Sequence, residues 1–166
     1  MNTLLMKRLL HLFWILIFAC ISCTPATHIY LVRHAEKSGP SGDVPLSAQG
    51  FARAQLLAEQ MKTKQLHGVY STRYQRTQQT ARPAAGIFGL TPVIYADGDS
   101  LMRQLIKAKG KSYLVVGHSN TVLPMVKIAG IDPDLQFIEE DAYHNLYRIK
   151  LRNGKAVKLQ EFKYGD

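Results

Sequence analysis

Two short runs, His28-Ile-Tyr-Leu-Val-Arg33 and Ser112-Tyr-Leu-Val-Val-Gly117, constrain this chain more than any other feature. Both are rich in β-branched and aromatic side chains and read as buried strands. Helical patterns fill the space between them. Ser47 can cap a helix running to about Lys64, in which Phe51, Ala54, Ala58 and Met61 recur at spacings of three and four and predict one buried stripe. Residues 67–70 form a further strand candidate, followed by a polar helix over about 73–81. Pro83 should end or kink that helix, because proline lacks a donor and crowds the preceding turn. Residues 92–96 predict an edge strand and 101–108 a short helix. Pro124 is harmless only in a first turn, where the amides are unpaired, so the next helix should begin at about Ser119–Thr121. Asn153-Gly154 signals a two-residue hairpin between residues 143–151 and 155–163. Tyr143, Tyr147 and the basic side chains of that hairpin read as an edge strand with solvated charges. The alternation implies an α/β fold, a three-layer α/β/α sandwich with a mostly parallel central sheet and an antiparallel C-terminal edge.

The chain has 166 residues, 46% of them apolar and 20% charged, as one compact domain should. That composition excludes a disordered chain, a collagen-like fibre and a disulfide-stapled miniprotein. A net charge of +9 favours anionic partners: phosphorylated small molecules, nucleic acid or an acidic membrane surface. Two of those charges lie in the N-terminal segment, which reads differently from the rest. There Lys7 and Arg8 precede Leu9–Ser22, which is apolar apart from His11 and Ser22, and this is a secretory signal pattern. The run is short for a membrane span, which needs about 20 apolar residues. Both cysteines lie in it, as Cys20-Ile-Ser-Cys23. A redox pair or half a zinc site is the competing reading of such spacing, but the pair sits in an apolar run with no second pair downstream. The segment resembles a bacterial lipoprotein signal, with Cys23 as the lipidated residue, Cys20 as the alternative and an uncleaved anchor as a third possibility. Under each, residues 24–166 form the working domain on the outer side of the cytoplasmic membrane, in the cell envelope or periplasm, still at +7.

In open α/β sheets ligands bind beyond the carboxyl ends of the strands. The two best strands end in Arg33-His34 and Gly117-His118, so each should deliver a histidine to one rim. Behind His118 come the unpaired amides of a helix start, a site for anions, with Ser119 and Asn120 able to donate to phosphate or to cap the helix. The loop after the third strand candidate adds Arg73 and Arg76. Two histidines, arginines and a helix N-terminus describe a site for a doubly charged, tetrahedral oxyanion, since the guanidinium fork bonds phosphate oxygens in pairs. No His/Asp/Glu cluster shows metal-ligand spacing, and no cofactor is expected. Lys37 could steer phosphate or be a solvated loop lysine. His28, His67 and His144 read as surface or satisfied histidines.

Four stretches in order are similar to a known family. Leu31-Val-Arg-His-Ala-Glu-Lys37 resembles the Arg-His signature of the histidine phosphatase (phosphoglycerate-mutase-like) superfamily. Pro45-Leu-Ser-Ala-Gln-Gly50 resembles its helix-opening motif, residues 71–81 its serine-initiated stretch with an internal arginine at Arg76, and Val116-Gly-His-Ser-Asn120 its second histidine motif. The resemblance implies a metal-independent phosphatase in which His34 attacks phosphorus to form a phosphohistidine, while Arg33, Arg76, His118 and Ser119 hold the phosphoryl oxygens. His34 must be neutral to attack, and the surrounding cations should depress its pKa.

Two departures qualify the comparison. Many members have a glutamate after the arginine helix, or an aspartate after the second histidine, to protonate the leaving group. Here residue 119 is Ser and no Glu occurs between Gln60 and Glu139. Asp97, or Asp99, is the nearest candidate acid, with a turn carboxylate beside Gly98 as the competing reading. Glu36 reads as structural or steering. Good leaving groups such as phosphohistidine or acyl phosphate then become better substrates than alkyl phosphates. The stretch 81–111 is too short for a large lid, which makes the small phosphohistidine-phosphatase-like branch the nearest comparison. The rival expectation is a non-catalytic phosphate-binding envelope lipoprotein. Nucleic-acid binding is disfavoured, because the charges are scattered and no recognised module is present.

Overall fold

Alternating strand and helix periods close into a six-stranded sheet in the computed structural model, which describes residues 25–165. The expected signal segment 1–23, with Cys20 and Cys23, lies outside the described residues. Among those described, no helix is long and apolar enough to cross a membrane. In chain order the elements are β1 (Thr27–Arg33), α1 (Ala48–Met61), a 3-10 turn (Lys62–Lys64), β2 (Leu66–Ser71), α2 (Gln75–Ile87) and β3 (Val93–Ile94). Then follow α3 (Gly98–Ile106), β4 (Ser112–Gly117), α4 (Ser119–Ile128), β5 (Asn145–Arg152) and β6 (Lys155–Lys163).

The strand order is β3-β2-β4-β1-β5-β6. The first four run parallel, and β5 and β6 add an antiparallel margin. Side chains alternate across the sheet, so each strand feeds two cores. From β1, Ile29 and Leu31 join Met102 and Leu105 of α3 with Val122 and Val126 of α4. Tyr30 and Val32 join Leu57 and Met61 of α1 with Ala81, Ala84 and Ala85 of α2. Two helices therefore cover each face, giving the expected α/β/α sandwich. Asn153 and Gly154 adopt φ of 51° and 73°, the left-handed pair that a tight I′ hairpin between β5 and β6 demands.

Four local expectations change. Phe51 is 47% exposed, and the buried stripe of α1 is Gly50, Ala54, Leu57, Ala58 and Met61. The helix turns the small Gly50 toward the chain after β1, where a phenylalanine could not fit. Pro83 neither ends nor breaks α2, which continues to Ile87. Proline removes a single helical bond, and burial of Ala81, Ala84 and Ala85 beneath the sheet outweighs it. Pro124 is the sixth residue of α4, in its second turn, so the helix start has another cause. His118 is the N-cap, and its amide donates to Thr121 Oγ1 at 2.8 Å. Finally, β5 is an interior strand between β1 and β6, so Tyr147 is fully buried, and the solvated edge is β6 alone.

Candidate active site

β1 and β4 lie side by side in parallel, with Arg33 opposite Gly117. The next residues, His34 and His118, leave the sheet together, and the His34 amide donates to the Gly117 carbonyl at 2.9 Å. Their rings stand edge to face with centroids 5.3 Å apart. A cleft of about 530 Å³ opens above them, lined by Arg33, His34, Lys37, Tyr74, Arg76, His118, Ser119, Asn120, Thr121 and Glu140. Sequence reasoning placed His34, His118, Arg33, Arg76, Ser119 and Asn120 at one rim, and all of them line this cleft. Lys37, left open between steering and solvation, lines it too, whereas Arg73, from the same loop as Arg76, does not.

The imidazole of His34 is held in a defined tautomer. Its Nδ1 is 2.7 Å from the Ala35 carbonyl, which can only accept, so Nδ1 carries the proton and Nε2 keeps a free lone pair. Ala35 is fixed in turn from α2, where Thr80 Oγ1 accepts its amide at 3.0 Å while donating to the Arg76 carbonyl at 2.7 Å. Leu46 donates its amide to Gln79 Oε1 at 2.7 Å, tying the opening of α1 to the same helix. Gly50 completes this packing, since a Cβ there would lie 2.1 Å from the Glu36 carbonyl oxygen. On the other side, His118 Nε2 is 3.0 Å from Thr72 Oγ1, itself 2.8 Å from Thr77 Oγ1.

Each arginine is stacked on a tyrosine that also touches a histidine. Arg33 lies 4.3 Å from the centre of the Tyr143 ring, whose neighbour at 6.0 Å is His34. Arg76 lies 4.4 Å from the Tyr74 ring, which meets His118 edge-on at 5.3 Å. Arg33 Nη1 donates to the carbonyls of Glu139 and Glu140, both at 2.7 Å, and Arg76 Nη1 to Gly42 at 3.0 Å. The Nε of each guanidinium is buried without a hydrogen-bond partner among the described residues. Such donors are costly to leave unpaired.

Burial is the main force on both imidazoles. It lowers His34 to about 3, aided by Arg33, His118 and Arg76 and opposed by the Ala35 hydrogen bond. It lowers His118 to about 4, with Arg76 and Arg33 adding to the effect. The expectation had assigned the depression of His34 to the cations, whereas exclusion from water acts first. Both rings are neutral at pH 7.

Other candidates have different surroundings. Asp97 caps α3, accepting from the amides of Asp99 and Ser100 and from the Ser100 hydroxyl, and the Ser100 hydroxyl above all holds its carboxyl below the usual range. Neither Asp97 nor Asp99 lines the cleft; the turn carboxylate is what the structure shows. Glu36 pairs with Arg53 at 2.7 Å beneath the site. Arg73 is exposed, 5.5 Å from the Tyr74 ring, and lies outside the cleft lining. Tyr143 and Glu140 were missed as site residues. They come from the long connection after α4, which carries no motif; only its run of three acids, Glu139 to Asp141, marked it. The braces Thr77, Gln79 and Thr80 were legible only as polar residues in a helix, and Thr72 only as a loop residue after β2. Among the described residues no group of three or more His, Cys, Asp or Glu is placed to hold a metal ion.

Comparison with known proteins agrees with this geometry. Residues 29–99 match the Histidine phosphatase superfamily (branch 1). No curated protein sequence matches the chain. Among solved structures, a mycobacterial glucosyl-3-phosphoglycerate phosphatase superposes with a TM-score of 0.67 at 12% identity, covering 84% of this chain and 98% of that one. The protein histidine phosphatase SixA, solved with tungstate, gives 0.65 at 17% identity, over 82% and 96%. A phosphoglycerate mutase from Plasmodium falciparum gives 0.59 at 20% identity, over 83% and 91%. At these identities the likeness is one of fold.

Proposed function

We propose that this protein is a histidine phosphatase that hydrolyses phosphomonoesters or phosphoramidates through a phosphohistidine on His34. The observation that carries this reading is the pair of neutral imidazoles 5.3 Å apart, flanked in one cleft by Arg33 and Arg76. The free Nε2 lone pair of His34 attacks phosphorus, forming an N–P bond as the P–O or P–N bond to the leaving group breaks. Arg33, Arg76, His118 and the amides at the start of α4 hold the phosphoryl oxygens as their charge redistributes. Water then attacks the phosphohistidine, releasing inorganic phosphate and restoring the lone pair. Glu140 of the cleft wall is the group we assign to protonate poor leaving groups. That SixA was solved with tungstate, a tetrahedral oxyanion, supports a phosphoryl group as the ligand class.

An open, solvent-facing cleft favours broad specificity among phosphorylated substrates. A panel of aryl phosphate, acyl phosphate, alkyl phosphate and phosphohistidine, with free phosphate assayed, tests the reading. Turnover should vanish in His34→Ala and survive EDTA, and quenching should trap an acid-labile, base-stable phosphoryl adduct. Phosphate binding without turnover or adduct in the native protein would replace it with the non-catalytic envelope reading. The basic and apolar character of residues 7–22 supports export and an envelope location, with Cys23 lipidated. Incorporation of labelled fatty acid that persists in Cys20→Ala and is lost in Cys23→Ala is the expected result.

A further inference from the structure

Acids gather around the cations of the cleft, while the far end is predominantly basic, with Glu59 paired to Lys62 there. The cleft end carries the acids: Asp97 and Asp99 at the start of α3, Asp43 against Gln75, and Glu139 to Asp141 beside Arg33. The opposite end, where β1, β2 and β4 begin, carries lysines and arginine. Lys64 precedes β2; Lys107, Lys109 and Lys111 fill the turn between α3 and β4; Arg152 and Lys155 flank the β5–β6 hairpin. These segments meet. A Cβ on Gly154 would lie 3.6 Å from the Ile106 carbonyl, so the hairpin tip abuts the end of α3. Lys64 is close enough to His28 at the start of β1 to lower its pKa, after burial, Arg148 and Lys150.

The described chain begins inside this collar. A Cβ on Gly110, between Lys109 and Lys111, would lie 2.7 Å from the Pro25 side chain. Thr27 Oγ1 donates to the Ala108 carbonyl at 2.8 Å, and the His28 amide to Lys111 at 2.8 Å. The proposed lipidation site, Cys23, lies two residues before Pro25. An apolar anchor there would join the domain at its basic end.

We infer that this basic pole is a docking surface for anionic lipid headgroups, seating the domain on a bilayer with its cleft pointing away. Each lysine near an acidic membrane surface contributes about 1 kcal/mol, roughly fivefold in affinity, over a range of about 8 Å at physiological salt. Stable membrane residence takes two signals, an apolar anchor and a basic patch. β1 spans seven residues, so His34 stands roughly 20 Å above the lipid plane, in reach of soluble substrates.

The test compares the processed protein, carrying its N-terminal anchor, with a Lys107→Glu, Lys109→Glu, Lys111→Glu variant on vesicles. Binding to neutral phosphatidylcholine reads that anchor and should be equal for both. Added phosphatidylglycerol should tighten binding of the native chain at least about tenfold, reversed by 0.5 M salt, with little gain for the variant. Water-soluble acylating reagents should then spare Lys109 and Lys155 while modifying Lys37 equally on both vesicles. Hydrolysis of a soluble aryl phosphate should be alike in the two proteins, which separates this surface from the cleft. Equal binding to neutral and anionic vesicles, or unprotected Lys109, would overturn the proposal. Retention on duplex DNA without any gain on anionic vesicles would overturn it in favour of a nucleic-acid partner.

Discussion

His34 donates its backbone amide to the carbonyl of Gly117 at 2.9 Å, so the spacing of the two imidazoles is a property of strand register. Neither ring depends on a loop to find the other. What the loops supply is the wall of the cleft and the posture of the two arginines.

The histidines set a pH response. With His34 lowered to about 3 and His118 to about 4, both rings should titrate by NMR with midpoints well below 5. Midpoints near the ordinary 6.5 would contradict the burial described above. The same shifts act on stability. Between the unfolded value and the folded ones, the unfolded chain binds more protons, so stability is complete above about pH 6.5 and is lost as pH falls toward 4 for His118 and toward 3 for His34. For His34, 4% exposed, the full effect is on the order of 4 kcal/mol. A His34→Asn, His118→Asn variant should lose less stability across that window.

Gly50 admits no side chain. Its substitution by alanine puts a carbon 2.1 Å from the Glu36 oxygen, and backbone must move. We expect Gly50→Ala to cost about 2–3 kcal/mol in denaturant unfolding and to lower kcat, because the displaced segment carries Ala35.

Tyr143 acts through its ring. Tyr143→Phe should preserve KM and inhibition by inorganic phosphate within about twofold. Tyr143→Ala, which removes the face beneath Arg33, should raise both constants roughly 5- to 30-fold, as expected for about 1–2 kcal/mol of cation–π interaction. Equal losses in the two variants would point to the hydroxyl instead.

The two acid candidates separate cleanly. Asp97→Ala removes an N-cap and should cost about 1 kcal/mol of stability while leaving turnover unchanged. Glu140→Gln should depress kcat for an alkyl phosphate by about 10²-fold and leave an aryl phosphate nearly untouched. A drop in turnover with Asp97→Ala alone would return the proton to α3.

Much of this was legible because two signals, the buried strands and the residues ending them, are local in sequence. His28–Arg33 and Ser112–Gly117 announce themselves by composition, and parallel pairing then brings their ends together. Phe51 misled because a stripe at helical spacing admits a neighbouring face, and the choice was made by close backbone contact at Gly50. Pro83 and Pro124 misled because each removes one hydrogen bond from a helix held by many buried contacts. Tyr143 and Glu140 were invisible because they reach the cleft through a connection without periodicity, where only tertiary packing decides.

Arg76 and Thr80 sit one turn apart on α2, the first at the cleft and the second bracing Ala35 behind the His34 ring. A rigid shift of that helix therefore carries the Arg76 guanidinium and the support of the His34 ring in the same direction.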